Sequence, residues 1–399
     1  MSTAIPDNGF TAHHFPGTSD GVVLIIAGLH TSEQCGVEVA NWILAKLADP
    51  QKQARLGAIV IPEVFPQYGR AVRRVEWIHP GGKWEEKIGK DRHIRSNDYR
   101  EYPYAPYGGK LFPNRQFPPP GQPLSYLLDK SGKGMLKTFA GGPVGPKGRA
   151  YPLLPQLRYL IGLIEMFRPV RIVSIHGMHR KSPTATYGDN YSGVFVDPRY
   201  ALSKTDIAEV MANEAKKASD PTKVSGLEKY KFDLALDPAY PTVKDANGNP
   251  VPKRFDSAIL PDGKKDDQLA LDLATRATAI NSDAHLVWGN HLDDPKKRPA
   301  VVHYARETDT PTGYSLGDWG PVDVPGVRLG APVFTIEPDQ DFESWAFIDG
   351  VQYVAEDGSP LTVPQRNPPQ ILPAKFPALA ARSRSLQAYA QAVIDVLLA

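Results

Sequence analysis

Residues 22–29, VVLIIAGL, form an unbroken apolar run, the pattern of a short strand covered on both faces. Ala58–Pro62 and Val170–Ile175 repeat it, and Gly193–Asp197, His285–Gly289, Val301–Ala305 and Val333–Ile336 read as further strands. Between the runs the period changes. After Glu33, the apolar residues Val37, Ala40, Ile43, Leu44 and Leu47 recur at helical spacing. Leu153–Phe167 is a second predicted helix, stopped by Pro169, and Asp206–Lys217, Asp266–Ile280 and Leu379–Leu398 are others. Strands alternating with helices predict an α/β sandwich, a mostly parallel, mixed and twisted sheet with helices on both faces.

Two stretches interrupt the alternation. Residues 77–150 are rich in Gly, Pro, Tyr and basic residues, and residues 218–265 are polar, with KDANGNPVPK as a turn. Neither resembles an interdomain linker, and no internal repeat is visible. The expected organisation is one catalytic domain over 1–399 with long insertions at about 77–150 and 218–265. Loops at the carboxyl ends of strands build the site in α/β sheets, so the insertions are expected to wall it and to narrow it towards small substrates.

Composition removes several function classes. The formal net charge is +2 with both signs interspersed, which predicts no nucleic-acid surface. The longest apolar stretch near the N-terminus is about eight residues, against the ~20 of a membrane span. Residues 1–20 lack a basic-then-apolar leader pattern, so the expected location is cytoplasmic, with no membrane partner. Oligomeric state leaves no mark on the pattern. The single cysteine, Cys35, excludes an intrachain disulfide and a cysteine metal cage. It is expected as a small buried residue of the first helix, rather than a nucleophile. Any metal must be held by His and carboxylates. The sequence contains no Gly-x-x-x-x-Gly-Lys-Ser/Thr phosphate loop.

The chemistry lies where strands end. His30 and Glu33 stand just past the first run, three residues apart at a strand–helix turn. An imidazole and a carboxylate so placed can converge on one ion, and the pair suits zinc. RIVSIHGMHR repeats the layout, an apolar strand ending in His176. Neighbouring parallel strands would bring His30, Glu33 and His176 to one edge. Two histidines and one glutamate leave zinc an open position, as in catalytic sites. His179 competes with His176 but lies beyond the strand end. APVFTIEPDQD places Glu337 at the end of a third strand, where a carboxylate can act as general base or cap a helix.

These motifs, in this order, resemble the zinc carboxypeptidases of the pancreatic type. That family has His-x-x-Glu after a strand, an Asn-Arg pair, a third His after Ser-Ile, and Phe-Thr-x-Glu near the end. Here stand HTSE, PNRQFP with Asn114 and Arg115, SIH ending at His176, and FTIE ending at Glu337. The resemblance runs from about Val22 to Glu337, with the insertions unmatched. It implies one Zn2+ on His30, Glu33 and His176, with Glu337 deprotonating the zinc-bound water and passing the proton to the leaving amine. Asn114 and Arg115 would hold the terminal carboxylate of a peptide or acyl-amino-acid substrate. The oxyanion arginine would be Arg92 or Arg95 of DRHIRS, Arg92 being the better match, with the other left to bind substrate. Tyr314 of TGYSLGDW would either close over the substrate or be a packed aromatic.

The chain also departs from the family. Ser32 precedes Glu33 where the digestive enzymes often carry Arg. Phe112 occupies the place of an Asp that orients a zinc histidine, so another acceptor must do so. YPLLPQ stands where many members carry Pro-Glu. The expected function is therefore that of a divergent zinc metallocarboxypeptidase cleaving an amide bond beside a free carboxylate. The alternatives are an N-acyl amino acid deacylase of the aspartoacylase/succinylglutamate desuccinylase type, or an inert binding protein on the same fold.

Overall fold

The structure of the protein is a computed structural model. It describes residues 3–5, 9–30, 33–49, 54–65, 113–128, 153–177, 193–219, 242–244, 250–252, 266–281, 302–304, 314–324, 326–338, 353–354, 360–361 and 377–399. Eight strands form one mixed sheet: β1 (Thr3–Ile5), β2 (Ala12–Phe15), β3 (Val22–Ala27), β4 (Gly57–Ile61), β5 (Arg171–Ile175), β6 (Gly193–Asp197), β7 (Val302–Tyr304) and β8 (Val333–Glu337). Their spatial order is β1-β2-β4-β3-β5-β8-β6-β7. The pairs β3/β4, β3/β5, β5/β8 and β6/β7 are parallel, and β1/β2, β2/β4 and β6/β8 are antiparallel. The sheet is thus mostly parallel and mixed, as the apolar runs predict.

Helices cover both faces, because side chains alternate along each central strand. Val23, Ile25, Val173, Ile175, Phe334 and Ile336 face one layer, built from α1 (Gln34–Leu47), α4 (Asp266–Ile280) and α6 (Pro377–Ala392). Leu24, Ile26, Ile172 and Val333 face the other, built from α2 (Pro155–Phe167) and the segments bearing Phe117, Leu316 and Trp319. The α2 helix opens on Pro155 and closes at Arg168, which is left-handed at φ 46°. No helix among the described residues is long and apolar enough to cross a membrane.

The structure changes some expectations. The polar-looking N-terminus contributes two strands, β1 and β2, paired antiparallel onto β4. Helix α3 (Lys204–Ser219) starts two residues before the predicted Asp206. Ser203 explains this: its hydroxyl accepts from the Asp206 amide at 3.1 Å, while its own amide donates to the Asp206 carboxylate at 3.0 Å. The flanks of the KDANGNPVPK turn pair antiparallel, Thr242–Lys244 with Pro250–Pro252. Of the insertion expected at 77–150, residues 113–128 are described and lie on the α2 face. The predicted strand His285–Gly289 lies outside the described residues, as does most of 218–265.

Candidate metal centre

Strands β3 and β5 are parallel neighbours in register, Ala27 opposite Ile175. Their carboxyl ends therefore emerge side by side. The chain leaves β3 through Gly28, whose φ of +68° few other residues adopt, and reaches His30. Glu33 occupies the N-cap position of α1 but makes no side-chain cap. Its carboxylate turns instead to the two histidines.

The three side chains converge. His30 Nδ1 lies 2.7 Å from Glu33 Oε1, and His176 Nδ1 lies 2.8 Å from Glu33 Oε2. The two Nδ1 atoms are 3.3 Å apart, with the rings edge-on. One ligand atom from each residue lies within 4.8 Å of the others. In a tetrahedron with Zn–N bonds of about 2.0–2.1 Å, neighbouring ligand atoms stand about 3.3–3.4 Å apart. The Nδ1 pair already has that separation. Among the described residues, this is the one group of three or more His, Cys, Asp or Glu able to hold a metal ion.

The electrostatics agree. Burial alone would raise the Glu33 carboxyl, but the charges of His30 and then His176, with their hydrogen bonds, outweigh it and bring it down to about 2. Glu33 is therefore an anion at any ordinary pH, held where positive charge gathers. The positive end of the α1 dipole favours the same charge state.

The docking of α1 on β5 sets these distances. A Cβ on Gly36 would lie 2.5 Å from the His176 carbonyl oxygen and 2.7 Å from that of Ile175. Only glycine lets the helix approach so closely. Next to it, the Cys35 thiol donates weakly to the carbonyls of His176 at 3.6 Å and Pro338 at 3.7 Å. Cys35 is fully buried, as expected for a packing residue.

Glu337 ends β8, the other neighbour of β5. The His176 amide donates to the Ile336 carbonyl at 2.8 Å, and Ile336 pairs with Ile175. Glu337 thus stands level with His176 on the adjacent strand. Ile175 and Ile336 point into the α1/α4/α6 layer, so His176 and Glu337 both project from the opposite face. Glu337 is half-buried.

The remaining expected residues fall into two groups. Asn114 is buried and accepts from the Leu316 amide at 3.1 Å through its side-chain oxygen. The Phe117 amide donates to the Tyr314 carbonyl at 3.1 Å, which joins the Asn-Arg segment to the TGYSLGDW segment. Tyr314 itself is 0% exposed, which fits a packed aromatic. Ser315 and Asp318 form a capping box on the short helix α5 (Leu316–Trp319), so Asp318 has a structural partner. Of Arg115 the backbone is described, in a 3-10 turn. Arg92, Arg95, Phe112, His179 and Ser32 lie outside the described residues.

Sequence reasoning did not single out Ser174. Its hydroxyl lies 2.9 Å from His176 Nε2. The available signal was a lone hydroxyl in an apolar strand, two residues before a histidine and so on the same face.

No protein-family model matches the sequence, and no curated protein matches it. Among solved structures, the chain is similar to a succinylglutamate desuccinylase/aspartoacylase from Rhodobacter sphaeroides, at 16% identity over 51% of this chain and 42% of that one, with a TM-score of 0.24. It is similar to the cell shape determinant protein Csd4 of Helicobacter pylori, at 12% identity over 97% and 55% of the two chains, with a TM-score of 0.34. It is also similar to a candidate metallopeptidase from Shewanella baltica OS155, at 12% identity over 100% and 86%, with a TM-score of 0.32. The match spans less than half the length of the first of these.

Proposed function

We propose that the protein is a zinc-dependent hydrolase that cleaves an amide bond beside a free carboxylate, with metallocarboxypeptidase the activity its residues fit best. One observation carries this: three ligand atoms from the β3–α1 turn and the end of β5 lie within 4.8 Å of one another, the two imidazole Nδ1 atoms at tetrahedral spacing. Two imidazoles and one carboxylate suit zinc better than magnesium or calcium, and leave one position for a reactant. Bound there, zinc supplies a Lewis acid and makes hydroxide available near neutral pH.

The chain's own residues do the rest in this proposal. Glu337 takes the proton of the attacking water and hands it to the leaving nitrogen. Its place level with His176 supports that role. Arg115 and Asn114 hold the substrate carboxylate, for which the arginine fork is well shaped. Arg92 or Arg95 balances the charge that develops on the carbonyl oxygen. Tyr314 contributes packing behind the Asn114 segment rather than a moving lid.

The test combines metal analysis with two substrate panels, blocked dipeptides and N-acyl amino acids. The expected result is one zinc per chain and release of the C-terminal residue. Glu337→Gln should keep the metal and lose about 10²–10⁴-fold in kcat. Acid release from N-acyl amino acids alone would move the assignment to a deacylase. If wild type and Glu337→Gln hold zinc and are equally inert on both panels, the protein is a binder.

A further inference from the structure

The hydroxyl of Ser174 sits near the end of a buried strand, 2% exposed, among Ile172, Val173 and Ile175. A buried hydroxyl is costly unless it has a hydrogen-bond partner, and here the partner is His176 Nε2 at 2.9 Å. The other nitrogen of the same ring, Nδ1, faces Glu33 at 2.8 Å and His30 Nδ1 at 3.3 Å. A neutral imidazole carries one proton on one of its two nitrogens. To offer a lone pair from Nδ1, His176 must keep its proton on Nε2, and that N–H, on a residue only 4% exposed, needs an acceptor.

We propose that Ser174 is a positioning residue of the metal centre. It accepts the Nε2–H of His176 and so fixes both the tautomer and the ring rotation that aim Nδ1 at the point shared with His30 and Glu33. The inference rests on the metal-centre reading above. The strand supplies the geometry: residues two apart share a face and lean the same way, and β5 is clamped between β3 and β8. The acceptor is thus as rigid as the sheet.

The test measures zinc affinity by chelator competition for wild type, Ser174→Ala, Ser174→Thr and Ser174→Val, alongside the Tm of each metal-free chain. Threonine and valine have nearly the same shape, so their comparison isolates the hydroxyl from packing. Ser174→Thr should bind within about threefold of wild type, while Ser174→Ala and Ser174→Val should bind about 10–100-fold more weakly. In the zinc-loaded protein, the Nε2 proton of His176 should be seen by ¹⁵N NMR in wild type and exchange faster in Ser174→Ala. Equal affinity in all four proteins would overturn the proposal, even if the Tm values differ, because the hydroxyl would then be structural. Equal weakening of Ser174→Thr and Ser174→Val would overturn it too, by making packing the cause. Wild type that takes up no zinc would instead overturn the metal-centre reading, and this inference with it.

Discussion

Strand β5 is buried from end to end, with a polar residue at its entry and another just past its exit, and the two use that polarity differently. At its entry, Arg171 is 1% exposed and donates through one guanidinium nitrogen to the Leu397 carbonyl at 2.6 Å. At its exit, His176 is 4% exposed and turns both ring nitrogens to side chains. A guanidinium can only donate and a carbonyl can only accept, so the Arg171 contact ties the sheet to Leu397, in the π-helical turn Val393–Leu397 that follows α6. The exit gathers two imidazoles and a carboxylate about one point, an arrangement completed only by cations, whether protons or a metal. Burial of a polar group is therefore no mark of function in this strand. What the group faces is.

The comparison breaks most sharply on the ligand itself. His176→Ala should abolish retention of stoichiometric zinc after desalting, whereas Arg171→Met should leave one zinc per chain; elemental analysis of both decides. Next in size is Gly36→Ala. The added methyl meets the His176 backbone, so α1 must move and carry Glu33 with it. A loss of about 1–3 kcal/mol in urea unfolding is expected, together with weaker zinc binding by chelator competition. Arg171→Met should cost about 1–3 kcal/mol of stability by orphaning the Leu397 carbonyl, with zinc affinity unchanged in the same assay.

The smallest effect concerns His13 on β2, a histidine whose pKa burial lowers from its ordinary value of 6.5. Its folded form binds protons less readily than the unfolded chain. The stability it contributes is present above pH 6.5 and is lost as pH falls below that value towards the lower folded pKa. His13→Gln should flatten that part of the stability–pH curve for the metal-free chain. His13 thus serves as the reference for a histidine shifted by burial, set against the carboxylate-faced pair at the centre.

Much of this was legible in the sequence. β3, β4, β5 and β8 announced themselves because a strand buried on both faces is mostly apolar. His30, Glu33 and His176 were legible because each follows such a run, where polarity is unexpected. β2, AHHF, was not, since two histidines in four residues give no apolar run; pairing with β4 makes it a strand. The burial of Tyr314 and the bond from the Leu316 amide to Asn114 were equally hidden. Both depend on two segments 202 residues apart in sequence coming together. Gly36 gave no sign either, because the need for a missing Cβ appears only once β5 lies beneath α1.

Glu33 and His176 are 143 residues apart in the chain and meet only because β5 docks against β3. On the ribosome, the growing polypeptide makes His30 and Glu33 on the order of ten seconds before His176. It makes Glu337 later still. On the proposed reading, the three candidate ligands of the cation are therefore all synthesised before the residue proposed to move the proton.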